Sequence, residues 1–210
     1  MSEPLSALQL FDFTEQVASK APTPGGGGVA ALIGALAAAL GSMATNLTIG
    51  KKKYLPFEAE HRMMIAEANV LRLRFLELID ADAAAFEPLS RIYSLEKTTP
   101  GYDEMLRAAT LDACKAPFEI MEHCCKLIAL LENLLPKCSV LLLSDVGCAA
   151  LAARCALESA SMNVLVNTGL LPDVAEAWDY ASRVEDMLRE YVPRAQAVSD
   201  KVFAHLRGPA

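Results

Sequence analysis

The sequence predicts an all-α protein, a single-domain bundle of about six long helices, some of them kinked at proline. Apolar residues recur at three- and four-residue spacing over long stretches, and no stretch alternates apolar and polar residues as a half-buried strand would. The composition combines 53% hydrophobic residues with only 6% aromatics, which favours helices packed through small side chains. The 210 residues suit one domain, and no repeat or linker divides residues 1–210.

The first three helices are predicted from the spacing of apolar residues and from the positions of prolines. The first is predicted over residues 8–20 and the second, after a turn that contains Pro22 and Pro24, over about 27–48. The third is predicted over 58–87, where apolar residues follow the helical period. Pro56 opens this helix, and Pro88 is expected to end or kink it.

The last three helices follow in the same way. A loop at residues 98–101 leads to a fourth helix over 102–131, kinked by Pro117. Ser144 and Asp145 are predicted N-caps of a fifth helix over 146–166. The sixth is predicted from about 172 to 206, with Pro193 as another kink position.

Net charge and cysteine spacing limit the function classes. A net charge of −7 argues against nucleic acid as the partner. No C-x-x-C pair occurs, and three histidines give little support for a metal site, so we expect none. Residues 1–20 carry acidic side chains and no continuous apolar core, so we expect no signal peptide and a cytoplasmic protein. We interpret His61, His123 and His205 as surface residues.

Residues 29–49 form a charge-free stretch long enough to span a bilayer. Most of its residues are Ala, Gly, Ser, Thr and Asn, which partition weakly into lipid. A helix that is apolar all round also occurs at the centre of a soluble bundle. We therefore predict a buried helix and no membrane association.

The most informative segment is residues 22–54. Gly25, Gly26 and Gly27 open directly onto the second helix, where unpaired N–H groups and the helix dipole favour an anionic ligand. Three consecutive lysines, Lys51, Lys52 and Lys53, follow its far end. Both ends therefore favour a negatively charged ligand. The alternative is an ordinary loop, a buried helix and a solvated basic turn.

Two carboxylates interrupt the apolar third helix. At about 100° per residue, Asp80 and Asp82 point roughly 200° apart, so they cannot form a close dyad. Asp82 shares its face with Leu78 and Phe86 and is the better buried candidate. A carboxylate in an apolar wall has a raised pKa and can exchange protons near neutral pH. The alternative is that both carboxylates are solvated.

Two further positions are candidates with open alternatives. Asp145 is interpreted first as a helix N-cap, and a catalytic role would be additional. Asn163 and Asn167 lie one turn apart on an apolar helix. Each carboxamide can bind the amide-rich edge of a heterocycle or satisfy a neighbouring backbone group.

Several motifs together resemble the cyclodeaminase/cyclohydrolase family of one-carbon folate enzymes, the stand-alone relatives of the C-terminal half of formiminotransferase-cyclodeaminase. The likeness covers essentially the whole chain, and its most specific part is the glycine-rich entry followed by Gly-Lys-Lys-Lys-Tyr. The matching segments are 24–27, 29–32, 34–36, 40–43, 46–48, 50–54, 80–86, 116–117, 144–147, 156–158 and 163–164.

The resemblance implies an all-α homodimer that binds a tetrahydrofolate derivative as its substrate near the subunit interface, with no permanently bound cofactor. Family members close the 5,10-methenyl bridge of tetrahydrofolate with loss of ammonia, or hydrolyse that bridge. By this resemblance Asp82 and Asp145 are catalytic candidates. The implied substrate-binding residues are Gly25, Gly26, Gly27, Lys51, Lys52, Lys53 and Asn163, with the lysines meeting the glutamate tail.

One departure from the family pattern concerns Gly28, where the family usually has serine. The loss removes a hydroxyl that can cap the helix or contact substrate. The sequence slightly favours the cyclodeaminase, which converts 5-formiminotetrahydrofolate to 5,10-methenyltetrahydrofolate. The alternatives are the cyclohydrolase and a non-catalytic folate-binding or assembly module on the same scaffold.

Overall fold

The computed structural model describes residues 4–208, and six α-helices account for most of them. No strand occurs in this part of the chain, which confirms the predicted all-α class. The helices are α1 (Leu10–Val17), α2 (Gly26–Asn46), α3 (Glu58–Ile92), α4 (Tyr102–Leu134), α5 (Leu143–Thr168) and α6 (Ala175–Arg207). Short 3-10 turns occupy Leu5–Ala7, Lys52–Phe57, Leu135–Lys137 and Val140–Leu142.

Helix α2 packs between α3 and α5, with α4 beneath them and α6 against α4 and α5. Small residues allow this close approach. A Cβ on Gly34 would lie 2.7 Å from the ring of Phe75 on α3, so only glycine fits there without movement. The face that α2 turns inward is built almost entirely of alanine and glycine. The low aromatic content of the sequence therefore reflects helices that pack closely through small side chains.

Two predicted boundaries are wrong in an instructive way. Pro88 does not end α3, which continues to Ile92. Pro88 and Ala84, whose carbonyl the proline leaves free, are both exposed, so water can satisfy that group. Leu89 is fully buried against Ala109 and Ala113 of α4, and this packing holds the turn beyond the proline.

The predicted N-caps of α5 are also wrong. The helix begins at Leu143, and its N-cap position is Leu142. Ser144 and Asp145 therefore lie inside the first turn, where Asp145 still interacts favourably with the helix dipole. The buried Leu143 occupies the first position of the helix instead.

His61 is buried, contrary to the surface position expected for it. Its Nε2 lies 3.0 Å from the carbonyl oxygen of Lys137, which can only accept a hydrogen bond, so Nε2 carries the proton. The charged neighbours of His61 in sequence suggested exposure. Its helical spacing to Met64, Ala68 and Leu71, which lie on the buried face of α3, is the sequence pattern that indicates burial.

Two stretches among residues 4–208, Gly26–Asn46 and Val140–Thr168, are long and apolar enough to cross a membrane by length and composition. In the 18-residue windows concerned, 61% and 39% of the residues are buried inside the chain. Core helices of soluble proteins have the same properties.

Candidate functional site

A cavity of about 140 Å³ lies where the N-terminus of α2 meets α3, α4 and α5. Five of the predicted site residues line it, because α2 and α5 run in opposite directions and the start of one meets the end of the other. They are Gly25, Gly26, Gly27, Asp82 and Asn163. The remaining lining residues are Pro22, Thr23, Phe86, Ala113, Pro117, Val166 and Asn167.

Asp82 is the ionisable group of this cavity. Removal from water raises the pKa of its carboxyl to about 6, and a hydrogen bond from the Gly28 N–H offsets part of that rise. A Cβ on Gly27 would overlap the carboxylate of Asp82. Glycine at position 27 is therefore what lets the carboxylate lie directly against the first turn of α2.

Asp80 lies on the other side of α3, as its angular separation from Asp82 predicts. Its carboxylate accepts a hydrogen bond from the backbone N–H of Leu5 at 2.6 Å and another from the hydroxyl of Ser6. Asp80 thus anchors the N-terminal segment to the bundle. The opposite orientation of the two carboxylates is confirmed, and only Asp82 faces the cavity.

The start of α2 supplies polar groups to the same space. Helix geometry leaves the N–H groups of Gly26 and Gly27 without an intrahelical acceptor. Asn163 reaches this turn from α5, and a Cβ on Gly26 would lie 3.1 Å from its Oδ1. The cavity therefore combines a carboxyl group that titrates near pH 6, backbone donors and a carboxamide oxygen. That set can move a proton and hold an oxygen atom at a reacting carbon.

The lysines and Asp145 lie at the opposite end of α2, about 30 Å away as the length of a 21-residue helix requires. Gly50 adopts a left-handed conformation with φ of 79°, which ends the segment and begins the basic turn. The Nζ of Lys51 donates to the Ser139 hydroxyl at 2.8 Å, whereas Lys52 and Lys53 are exposed. Within one chain, these residues do not contribute to the Asp82 cavity.

A larger surface groove of about 760 Å³ lies between α4 and α6. Within it Arg183 is paired with Glu122 at 2.8 Å. None of the predicted site residues lines it. The small cavity at α2 is therefore the better candidate site, because it brings together the groups that can perform chemistry.

The sequence did not assign a site role to Phe86 or Pro117. Phe86 lies one helical turn after Asp82, and its apolar ring covers the same cavity. For Pro117 the sequence predicts only a kink in the fourth helix. Their contribution depends on the meeting of α3, α4 and α5, which no local pattern encodes.

The family model for formiminotransferase-cyclodeaminase matches residues 9–186. The chain belongs to this family. This match confirms the resemblance inferred from the glycine-rich entry, the lysines and the acidic helix. All the residues that line the cavity fall within the matched segment.

Individual relatives carry two different names. The chain is 37% identical over 195 residues to the methenyltetrahydrofolate cyclohydrolase of Methylorubrum extorquens, which covers 91% of this chain and 92% of that protein. It is 32% identical over 200 residues to the formimidoyltransferase-cyclodeaminase of Sus scrofa, of which it spans 37%. A solved structure of formiminotetrahydrofolate cyclodeaminase from Thermotoga maritima has a TM-score of 0.81 at 27% identity, covering 95% of this chain and all of that one.

Proposed function

We propose that this chain is a one-carbon folate enzyme that hydrolyses the methenyl bridge of 5,10-methenyltetrahydrofolate, with Asp82 as its general base. The observation that carries the proposal is the Asp82 carboxyl, whose pKa of about 6 leaves it mostly ionised at neutral pH beside a cavity wall of backbone donors. The likeness to a cyclohydrolase that matches along nearly its whole length favours hydrolysis over the deamination preferred from sequence.

The chemistry follows from the charges. The methenyl carbon between two nitrogens carries delocalised positive charge, which the Asp82 carboxylate stabilises across the cavity. Asp82 takes a proton from water as the water oxygen bonds to that carbon. The new hydroxyl group lies near the N–H groups at the start of α2. Asp82 then returns the proton to the bridge nitrogen that departs, the hydroxyl group releases its own proton to solvent, and the carbon remains as a formyl group.

The second candidate function is cyclodeamination, supported by the Thermotoga maritima structure that covers this chain almost entirely. There N10 attacks the formimino carbon, Asp82 removes the N10 proton, and the same group protonates the departing ammonia. A carboxyl group with a pKa of about 6 suits both directions of transfer near neutral pH.

Absorbance of 5,10-methenyltetrahydrofolate distinguishes the candidates. With purified protein, decay of that absorbance above the buffer rate supports hydrolysis. Its appearance from 5-formiminotetrahydrofolate supports deamination. Asp82→Asn serves as the control in both assays. No change in either assay, with wild-type protein that still binds tetrahydrofolate, contradicts both activities and favours the non-catalytic binding module.

We further propose that the active form is a homodimer. An apolar stripe runs along the outer face of α2 and includes Leu36, 56% exposed at the middle of the helix, with Met43 and Leu47 beyond it. On α5, Met162 and Val166 are also exposed, and Val166 lines the cavity. Exposed apolar side chains along one helix face are typical of a subunit interface. Light scattering that shows only monomer at micromolar concentration would contradict the dimer.

The size of the cavity also supports a dimer. Sites for drug-sized ligands occupy roughly 300–1,000 Å³, whereas this cavity has about 140 Å³. One chain therefore encloses the reacting end of a folate, and a second surface is needed to hold the remainder of the molecule.

A further inference from the structure

A proline in α4 determines how the side chain of Asn167 is held. In a regular helix the N–H of residue 117 would bond to the carbonyl of Ala113, but Pro117 has no N–H. The helix nevertheless runs without interruption from Tyr102 to Leu134. The carbonyl of Ala113 accepts a hydrogen bond from Nδ2 of Asn167 on α5, at 3.3 Å.

This bond sets the orientation of the Asn167 carboxamide. A carbonyl oxygen can only accept, so Nδ2 must face Ala113, and Oδ1 is the acceptor that the side chain offers to the cavity that Asn167 lines. Asn167 is only 8% exposed, so this orientation is not averaged by solvent.

Asn163 is held in the same sense one turn earlier. Its Nδ2 donates to the carbonyl of Ser159 at 2.8 Å, and both ends of the carboxamide face the first turn of α2, since a Cβ on Gly26 would lie 3.1 Å from Oδ1 and 3.2 Å from Nδ2. Both carboxamides line the cavity from residues one helical turn apart on α5, and each has an oxygen that none of the described hydrogen bonds uses. A ligand edge that carries N–H donors can hydrogen-bond to these two oxygens.

We propose that Asn167 is a substrate-recognition residue that accepts a hydrogen bond from an N–H group on the reduced ring of the folate, and that Pro117 is the positioning residue that fixes its carboxamide. The inference rests on the proposed folate function. A tetrahydropterin ring carries N–H groups at N3, N8 and the 2-amino group that can donate to these oxygens, whereas an edge made only of carbonyl or phosphate oxygens would leave both acceptors unpaired.

A double-mutant cycle on Pro117→Ala and Asn167→Ala tests both steps. Pro117→Ala supplies the missing N–H, so the helix itself satisfies the Ala113 carbonyl and the Asn167 carboxamide can rotate. Asn167→Ala alone leaves that buried carbonyl unpaired, whereas the double variant does not. Urea unfolding should therefore show a smaller loss from Asn167→Ala in the Pro117→Ala background than in the wild type. Equal losses would overturn the anchoring step.

Binding of tetrahydrofolate, followed by fluorescence of Trp178, tests recognition. Each single variant should weaken binding about 10-fold, the scale of one hydrogen bond, and the double variant no further. With methenyltetrahydrofolate the change should fall on KM, with kcat within about twofold. Pro193→Ala, a proline inside α6 outside the cavity, is the matched control.

Unchanged affinity in Pro117→Ala, or additive losses in the double variant, would overturn the recognition role. The failure of the proposed function has a different signature. If wild-type protein binds tetrahydrofolate and the cycle behaves as expected, but no turnover occurs, the reaction assignment fails while the role of Asn167 stands.

Discussion

Asp82 is the one carboxylate among the residues that line the cavity. Burial raises its pKa to about 6, and one backbone N–H is the only group that opposes the rise. The basic form that catalysis needs is thus available at neutral pH, while the acid form stays accessible. The local surroundings of a single side chain set the acid–base chemistry that the fold can perform.

Asp82→Asn should lower kcat by roughly 10²-fold or more, the usual scale for loss of a general base. The wild-type pH profile of kcat/KM should rise through a limb near pH 6, because Asp82 must be ionised to accept a proton. That limb should vanish in the variant. Absorbance kinetics between pH 4.5 and 8.5 provide the measurement.

The matched control is Asp80→Asn. It keeps the cavity intact and removes only the charge that holds Leu5 and Ser6, so kcat should stay near the wild-type value. Equal losses in the two variants, or a loss confined to Asp80→Asn, would show that the wrong carboxylate has been assigned.

The same pKa predicts an effect on stability with a definite sign. The carboxyl of Asp82 ionises near pH 3.8 in the unfolded chain and near 6 in the folded one. The folded state therefore holds the proton more tightly, and ionisation costs stability as pH rises from about 4 to 6. Asp82→Asn should raise Tm at pH 8 relative to wild type and change it little at pH 4. A variant less stable than wild type at pH 8 would contradict the burial argument.

At the scale of elements, the start of α2 is tested by two neighbouring glycines. Gly27→Ala should displace the Asp82 carboxylate, which its Cβ would overlap, and lower kcat at least 10-fold, since Asp82 is the proposed base. Gly28→Ala should be tolerated, because its Cβ would lie 3.4 Å from Pro24 and 3.8 Å from Ile79, both ordinary contacts.

Far-UV circular dichroism shows whether both variants keep the helical fold, and kinetics show whether they differ. Gly28→Ser places its Cβ in the same space. Comparable activity in Gly27→Ala and Gly28→Ala would contradict the proposed contact between α2 and Asp82.

The elements also show what the sequence could and could not predict. Helical periodicity located all six helices and placed Asp80 and Asp82 on opposite sides of α3, because 100° per residue is a local property. It failed at Pro88, where Leu89 packs against α4 and holds the helix. The link between Pro117 and Asn167 joins residues 50 positions apart. This link could not be predicted from the sequence, because it depends on which helices lie next to each other in the fold.

At the scale of the whole molecule, the separation between Lys51–Lys53 and Asp82 needs an explanation. If both serve one folate, the lysines must come from a second chain. A two-fold axis through Leu36, at the midpoint of α2, would lay the two helices antiparallel, so that Gly25 of one faces Leu47 of its partner. The partner's lysines would then lie just beyond the cavity mouth, where a glutamate tail would emerge.

The charge of this arrangement can be tested directly. If the lysines contact the tail and not the reacting carbon, replacing all three by alanine should weaken substrate binding more than turnover. The loss should shrink as salt rises, because screening already weakens the wild-type attraction. Equal affinity of variant and wild type at low salt would refute a role for the lysines in binding.

Complementation between chains distinguishes a shared site from a site within one chain. A heterodimer of the Asp82→Asn chain with the triple lysine variant would contain one site with both Asp82 and the three lysines intact, and one site that lacks both. Co-refolding the two variants should restore roughly a quarter of the wild-type activity, since half the dimers are mixed and each has one of two sites intact. The measurement is made at low salt and at a substrate concentration below the KM of the lysine variant, where that variant alone is weakly active. Activity no higher than the mean of the separate variants would place the lysines and Asp82 in independent roles.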